Sequence, residues 1–365
     1  MQDIAIGQLL NQLQATPKDA KILWFADENS DQALSQLSYF KHQLTLLTNR
    51  FDIHKQAQNL GLTSVFNDVD FSEAKNAPFD AVFIRISKEK PVTHHAINQA
   101  ASILKAQGKL FLAGYKNEGL KTYAQKTTAL FMQCNALQKQ KDAYIGTFSN
   151  PLSSNATSVS EHTALNTNQY SKLRTIGEYS GSQLISKPGV FGFEKIDQGS
   201  VLLLEKAQHY LTTNNRINEH THLLDLGCGY GLLTLCAHTW GIKNITATDN
   251  NAAALIALKA SLQANNLEGC ALSNIKIVAS DAGKEITSKY DIILCNPPFH
   301  QGFDVSSHLT QKFLQNTHQL LAENGVALFV VNSFIALEKK ALSIFKHQKT
   351  LCNNKRFKVI LLTNN

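Results

Sequence analysis

The stretch Asp291-Ile292-Ile293-Leu294-Cys295-Asn296-Pro297-Pro298-Phe299-His300 sets an amide, two prolines and an aromatic ring directly after an apolar run. Neither proline has an N–H with which to extend a strand ladder, and their fixed φ aims the Pro297 carbonyl in one direction. Asn296 Oδ1 and that carbonyl are then two acceptors able to hold both N–H bonds of one amine. Such a grip suits an amino group conjugated to a ring, whose delocalised lone pair is a poor nucleophile. It orients the nitrogen toward an electrophilic methyl and favours a more tetrahedral geometry as charge develops. Phe299 is placed to stack on a base lifted away from its neighbours. The proton can leave after the transfer, so no dedicated general base is required. The plainer alternative is a proline-rich turn that only closes a strand.

Upstream, Leu223-Leu224-Asp225-Leu226-Gly227-Cys228-Gly229-Tyr230-Gly231-Leu232-Leu233 reads as a strand, a glycine turn and a helix start. Glycines allow positive φ and remove side chains, so a ligand can lie against the backbone. A dinucleotide fingerprint wants Gly-x-Gly-x-x-Gly, but here the spacing is Gly-x-Gly-x-Gly, with Leu232 in the last position of that pattern. The leading Asp225 suits a cationic ligand, a sulfonium with its amino group, and would sit poorly beside a pyrophosphate. In Ala247-Thr248-Asp249-Asn250, Asp249 ends a second strand, where a carboxylate can accept both ribose hydroxyls of an adenosine. It could equally cap the helix that follows. In Ala279-Ser280-Asp281-Ala282, Asp281 is placed to meet an adenine amino group, or to serve as a cap or turn. The expected cofactor-binding set is therefore Asp225, Gly227, Gly229, Gly231, Asp249, Asn250, Asp281, Ala282 and Asn296.

The elements that must position these residues alternate. Apolar runs at 222–226, 244–248, 274–280, 290–294 and 325–331 read as buried parallel strands, with helices at about 231–240, 251–265, 306–321 and 334–346. Two further runs, 349–352 and 356–363, flank the turn-prone Asn353-Asn354 and suit an antiparallel pair. This order predicts an open, doubly wound α/β sheet. The first half repeats it in worn form. Lys21-Ile22-Leu23-Trp24 lines up with His222-Leu223-Leu224-Asp225, Phe79-Asp80-Ala81 with Tyr290-Asp291-Ile292, and Leu104 to Leu112 with Leu321 to Phe329. It lacks every chemical motif of the second half, as expected of a duplicated domain that kept its core and lost its ligand. The segment 148–169, rich in Ser, Thr and Asn, reads as a linker, with the domain boundary near residue 165.

With 365 residues, 43% apolar and 17% charged, the chain suits two ordinary globular domains rather than a disordered protein. The N-terminus shows no basic start followed by an apolar stretch, and no window resembles a membrane span, so a cytoplasmic protein is expected. The six cysteines lack paired ligand spacing, and adjacent His94-His95 read as surface residues on a helix or loop; no metal is expected. The net charge of +7 is segregated. Residues 1–74 carry 5 basic and 9 acidic side chains, residues 75–141 carry 11 and 3, and Lys339 to Lys358 includes seven basic residues and no acidic one. Such patches are the footprint expected for phosphate backbones, although solvated helix faces produce them too.

Together, Asp225-Leu226-Gly227-Cys228-Gly229 and Asn296-Pro297-Pro298-Phe299 resemble the class I amino-methyltransferases. More narrowly, the chain is similar to the bacterial ribosomal RNA guanine-N2 methyltransferases, best the small-subunit (RsmC) type. Lys187-Pro188-Gly189-Val190-Phe191-Gly192-Phe193-Glu194-Lys195-Ile196-Asp197-Gln198-Gly199-Ser200 is similar to that family's signature before the glycine turn, and His300 follows the tetrapeptide as it does there. The chain departs at Phe193-Glu194-Lys195, where members usually carry an arginine-led or glycine-led motif. The resemblance implies two tandem Rossmann-like class I methyltransferase domains on mostly parallel seven-stranded sheets, with 1–165 degenerate and 166–365 catalytic. It implies S-adenosylmethionine as cofactor, with Phe191 and Asp197 closing over it, and Asn296, Pro297 and Phe299 as catalytic residues. It further implies N2 of one guanine in 16S rRNA as acceptor, within the small subunit, by a monomer.

Other readings keep the fold. The acceptor could be a guanine of 23S rRNA, adenine N6 or a protein glutamine, but the latter two more often go with Tyr in place of Phe299. DNA enzymes usually add a recognition insert, and none is evident. A non-catalytic RNA-binding assembly factor is the reading from another class. The intact glycine turn, Asp249 and tetrapeptide argue against it.

Overall fold

The computed structural model describes residues 3–74, 78–131, 137–150, 165–167, 169–269, 274–298 and 303–365, with the side chains of 303–308 left aside. It divides into two compact units, Met1–Ser171 and Lys172–Asn365. The strands of the first are β1 (Ile22–Ala26), β2 (Leu44–Thr48), β3 (Thr63–Phe66), β4 (Phe79–Arg85), β5 (Leu104–Tyr115), β6 (Gln138–Gln140) and β7 (Ala143–Ser149). In the second, a hairpin of β8 (Arg174–Tyr179) and β9 (Ser182–Ser186) precedes β10 (His222–Leu226), β11 (Asn244–Asp249), β12 (Asn274–Ala279), β13 (Tyr290–Cys295), β14 (Leu321–Asn332), β15 (His347–Asn353) and β16 (Phe357–Thr363).

Among the described residues, each unit holds one seven-stranded sheet, and the strand orders are the same: β3-β2-β1-β4-β5-β7-β6 and β12-β11-β10-β13-β14-β16-β15. The first five strands in each order pair in parallel and the last two are antiparallel. The apolar runs carry this because a central strand of such a sheet is covered on both faces. All five residues of β1 and four of the five in β10 are buried.

The repeat expected from sequence is reproduced in register. Asp80 Oδ2 accepts from the backbone N–H of Lys21 at 2.8 Å, and Asp291 Oδ2 accepts from that of His222 at 2.9 Å. Ile22 pairs with Ala81 as Leu223 pairs with Ile292, and Ala81 with Lys109 as Ile292 with Val326. Counting along the strands, Trp24 occupies the place of Asp225, Thr48 that of Asp249, and Arg85 that of Asn296. The first unit stacks aromatic rings inward from the place of Asp225. Trp24 stacks on Phe83 (5.4 Å between centroids) and Phe83 on Phe111 (4.6 Å). Arg85, 1% exposed, is held by Asp3 Oδ2 at 3.0 Å and Glu118 Oε2 at 2.7 Å. At the places of Asp225 and Asn296 the first unit thus carries an aromatic ring and an ion-paired arginine.

Three local readings change. The helix expected at 334–346 is only Leu337–Ala341, because Ser333 donates its N–H to the Arg356 carbonyl (2.9 Å) and ties the preceding loop to the β15–β16 turn. The β8–β9 hairpin went unread, although the Ser180-Gly181 turn, with φ of 50° and 76°, is the paired positive-φ signal of a tight hairpin. His94 is not a surface residue: on helix Lys90–Ile103 it is 1% exposed and packs edge-on against Tyr123.

Candidate active site

The carboxyl ends of β10, β11 and β13 meet where the strand order reverses, the position at which open α/β sheets bind ligands. Leaving β10, Gly227 and Cys228 both donate their N–H groups to the Thr248 carbonyl at 2.9 Å, which folds the turn back over β11. Gly227, Gly229 and Gly231 adopt φ of 85°, 53° and 92°. Their surroundings separate their roles. A Cβ at Gly231 would stand 2.4 Å from Leu258 Cδ1, so this glycine is needed for close helix packing. A Cβ at Gly229 would meet nothing within 4 Å, and one at Gly227 only Phe313 Cε1 at 3.9 Å, which leaves bare backbone facing open space.

Asp225 is fully buried at the base of this turn. Its Oδ2 accepts from Thr234 N–H at 3.0 Å and Thr234 hydroxyl at 2.6 Å, serving the first turn of helix Leu232–Thr239, whose N-cap Gly231 has no side chain to offer. Oδ1 is buried without a partner among the described residues. Burial pushes its pKa up to about 7, with the nearby charge of Asp249 adding to the rise and Thr234 opposing it. A buried carboxylate left half-satisfied is costly, and a cationic ligand would relieve it.

Asp249 is not the cap of the following helix. Asn251 caps Ala252–Ala264 by accepting from Ala253 N–H, while Asp249 accepts from Gly229 N–H at 3.0 Å and Asn251 N–H at 2.9 Å. It therefore clamps the glycine turn against the carboxyl end of β11. Asn250 lies beside it, half-buried. Asn251, which the sequence reading passed over, also donates to the Gly189 carbonyl at 2.7 Å and anchors the 187–197 segment at the site. On that segment Phe191 is 53% exposed. Asp281 receives Lys312 Nζ on both oxygens, at 2.7 and 2.6 Å, and its loop turns through Ala282 at φ 52°. A non-glycine residue held in that region costs on the order of 1 kcal/mol.

Asn296 follows β13 directly. Its Nδ2 donates to Asp197 Oδ2 at 2.9 Å and to Ser200 Oγ at 2.8 Å. Asp197 is the N-cap of helix Gln198–Thr213, accepting from Ser200 N–H at 2.7 Å, and its own N–H donates to the Tyr230 hydroxyl at 3.1 Å. The two N–H bonds of the Asn296 amide are thereby taken, and Oδ1 is the atom these residues leave over. Pro297 is buried and Pro298 exposed; Phe299 and His300 lie outside the described residues. Cys228 and Cys295 are buried, and that burial holds both thiols well above their ordinary pKa, so they are apolar filling rather than nucleophiles. Among the described residues no His, Cys, Asp and Glu cluster could hold a metal, and no helix is long and apolar enough to cross a membrane.

These residues fit S-adenosylmethionine: an orphaned buried carboxylate oxygen for its cationic end, bare glycine backbone beside it, and a second carboxylate a strand away for a ribose. The structure places Asp225, Gly227, Gly229, Asp249 and Asn296, all expected from sequence, at or just beyond the carboxyl ends of β10, β11 and β13. The sequence reading missed Ser200, Tyr230, Thr234, Asn251 and Lys312, which hold those residues in place. Only Asp197-Gln198-Gly199-Ser200, a helix-start pattern, signalled any of them beforehand.

Two family models match in tandem, the methyltransferase small domain N-terminal model over residues 8–166 and the methyltransferase small domain model over 181–361. Relatives include ribosomal RNA small subunit methyltransferase C of Aeromonas hydrophila, 26% identical over 98% of this chain and 97% of its own. The protein of the same name from Pseudoalteromonas translucida is 29% identical over 77% and 76%. A T. thermophilus 16S rRNA N2 methyltransferase, solved in complex with AdoMet and guanosine, superposes over all of this chain and 92% of its own with a TM-score of 0.79 at 22% identity, a likeness of fold. With both models together spanning nearly the whole sequence, the chain belongs to the methyltransferase small domain family, in the two-part form that carries the family's own N-terminal domain.

Proposed function

We propose that this protein transfers the methyl group of S-adenosylmethionine to the exocyclic N2 amino group of a guanine in 16S rRNA. The observation that carries the reading is the juxtaposition, at one sheet edge, of a bare glycine turn over the orphaned Asp225 Oδ1 and an Asn296 amide whose oxygen is the atom left over. S-adenosylmethionine, when bound, supplies an electrophilic methyl on a sulfonium. Asp225 and the turn hold its cationic end, Asp249 and Asn250 its ribose, the Asp281–Ala282 loop its base, and Phe191 covers it. Asn296 Oδ1 and the Pro297 carbonyl accept the two N–H bonds of the guanine amine and hold its lone pair toward the methyl. Phe299 stacks on the base. The amine nitrogen gains a bond to carbon, the sulfonium is left as a thioether, and the amine proton passes to water. The small-subunit methyltransferases among the relatives favour 16S rRNA over the other acceptors.

The rRNA is held by charge. In the first unit Lys88, Lys90, Lys109, Lys116, Lys121, Lys126, Lys139 and Lys141 are exposed, whereas Arg85 is buried and adds nothing to that face. In the second, Lys355 and Arg356 project from the β15–β16 turn, beside the carboxyl end of β14 and the exposed Phe334. The protein acts as a cytoplasmic monomer on small-subunit particles. Native protein incubated with purified small subunits is expected to yield N2-methylguanosine by mass spectrometry, and Asn296→Ala none. Methylation of 23S rRNA, adenine or protein instead would move the acceptor, and absence of any product would leave an RNA-binding factor.

A further inference from the structure

One contact recurs in both units although the residues making it differ. In the first, Asp3 caps helix Ile4–Gln14 and accepts from Arg85 Nε at 3.1 Å and from its terminal nitrogen at 3.0 Å. In the second, Asp197 caps helix Gln198–Thr213 and accepts from Asn296 Nδ2 at 2.9 Å. Arg85 and Asn296 each stand five residues beyond the aspartate that clasps the first strand, Asp80 or Asp291, and so occupy the same place. The helix-cap carboxylate thus grips the residue at the end of this strand even in the unit that carries an arginine there. The contact belongs to the scaffold and needs no ligand.

In the second unit it has a chemical consequence. An asparagine amide can present either oxygen or nitrogen to a substrate, and only the oxygen can accept from an amine. Asp197 Oδ2 has only lone pairs to offer, so the atom facing it must be Nδ2, and Ser200 Oγ takes the second N–H at 2.8 Å. Turning the amide over would press Oδ1 against a carboxylate. Gly199 makes room for this: a Cβ there would come within 3.1 Å of Asp197 Oδ2 and 3.3 Å of Phe357 Cε1.

We propose that Asp197 and Ser200 are positioning residues that lock the Asn296 amide with Oδ1 toward the acceptor amine, a role distinct from closing over the cofactor. The assignment rests on the methyl-transfer reading above, and it separates what these two side chains do from what Asp225 and Asp249 do. They act on the orientation of the acceptor, not on cofactor affinity.

The test uses the full-length protein and the double variant Asp197→Ser with Ser200→Ala. Serine keeps an oxygen for the helix cap, while Nδ2 of Asn296 loses both its acceptors. We expect kcat on purified small subunits to fall about 10- to 100-fold, as for loss of orienting contacts to a reacting group. S-adenosylmethionine affinity by calorimetry and KM for the subunit should stay within about twofold. The two Asn296 side-chain amide protons, followed by NMR without any ligand, should exchange slowly in the native protein and quickly in the variant. Unchanged kcat, or a loss confined to cofactor affinity, would each overturn the proposal. If native protein yielded no N2-methylguanosine, the functional reading itself would fall, while the amide exchange would still report whether the lock exists.

Discussion

Thr234 gives both its backbone N–H and its hydroxyl to one oxygen of Asp225, at 3.0 and 2.6 Å, and leaves the other oxygen buried with no partner among the described residues. The carboxyl group is committed on one side and expectant on the other. Its pKa of about 7 against 3.8 in the unfolded chain means that between those values the folded state binds the extra proton. Stability from this group is therefore greatest below the unfolded value, falls as pH rises through the window and levels off above 7. Asp225→Asn removes that titration and keeps an acceptor for Thr234. The melting temperature of the variant, minus that of the native protein, should become more positive from pH 5 to pH 7.5. A difference that stays flat would mean Asp225 is already ionised at pH 5.

The same group should couple cofactor binding to protons. A cation beside Oδ1 favours the carboxylate, so S-adenosylmethionine should bind more tightly as pH rises from 6 to 8, releasing a proton as it does so. Calorimetry in buffers of different ionisation enthalpy measures that proton. The cofactor's own amine titrates too, so the decisive quantity is the part of the pH slope that disappears in Asp225→Asn.

Two neighbouring glycines should fail differently. Gly231→Ala forces a methyl group to within 2.4 Å of Leu258 at φ 92°, and about 2 kcal/mol or more of unfolding free energy should be lost in urea. Gly229→Ala meets open space at φ 53° and should cost only about 1 kcal/mol, but it should weaken cofactor binding at least tenfold. If the alanine at 229 left that affinity unchanged, the open space beside it would not be the ligand's.

The lock in the first unit should be strongly asymmetric. Arg85→Met leaves Asp3 and Glu118 facing each other with little solvent, and about 3–5 kcal/mol of stability should be lost. Combining it with Asp3→Asn and Glu118→Gln should recover most of this loss, as chemical denaturation of the full-length protein would register. A triple variant no more stable than Arg85→Met would show that shape, not charge, is what Arg85 provides.

The sheet was legible because apolar runs on buried parallel strands are nearly uninterrupted, and the glycine turn was legible because closely spaced glycines between a strand and a helix mark backbone of positive φ. The worn copy could be read too, since Phe79-Asp80 and Tyr290-Asp291 keep the same clasp. Helix 334–346 was over-read because periodicity cannot see a tertiary tie such as that between Ser333 and Arg356. The supporting residues stayed hidden for a related reason. Thr234 and Ser200 look like ordinary helix positions until the fold brings Asp225 and Asn296 against them, and Lys312 meets Asp281 from another helix altogether. Asp197 read as a helix cap or a cofactor contact, and its grip on a side chain 99 residues away had no local signature.

The clasp of Asp291 on His222 N–H sits at the opposite end of β13 from the chemistry, five residues or about 16 Å from Asn296. Because strand side chains alternate, a slip of one residue there would deliver Cys295 or Pro297 where Asn296 now arrives. The carboxylate thus works as the zero mark of a ruler. It sets how far the strand has been paid out when it reaches the crevice, and the same graduation delivers an arginine in one domain and an asparagine in the other.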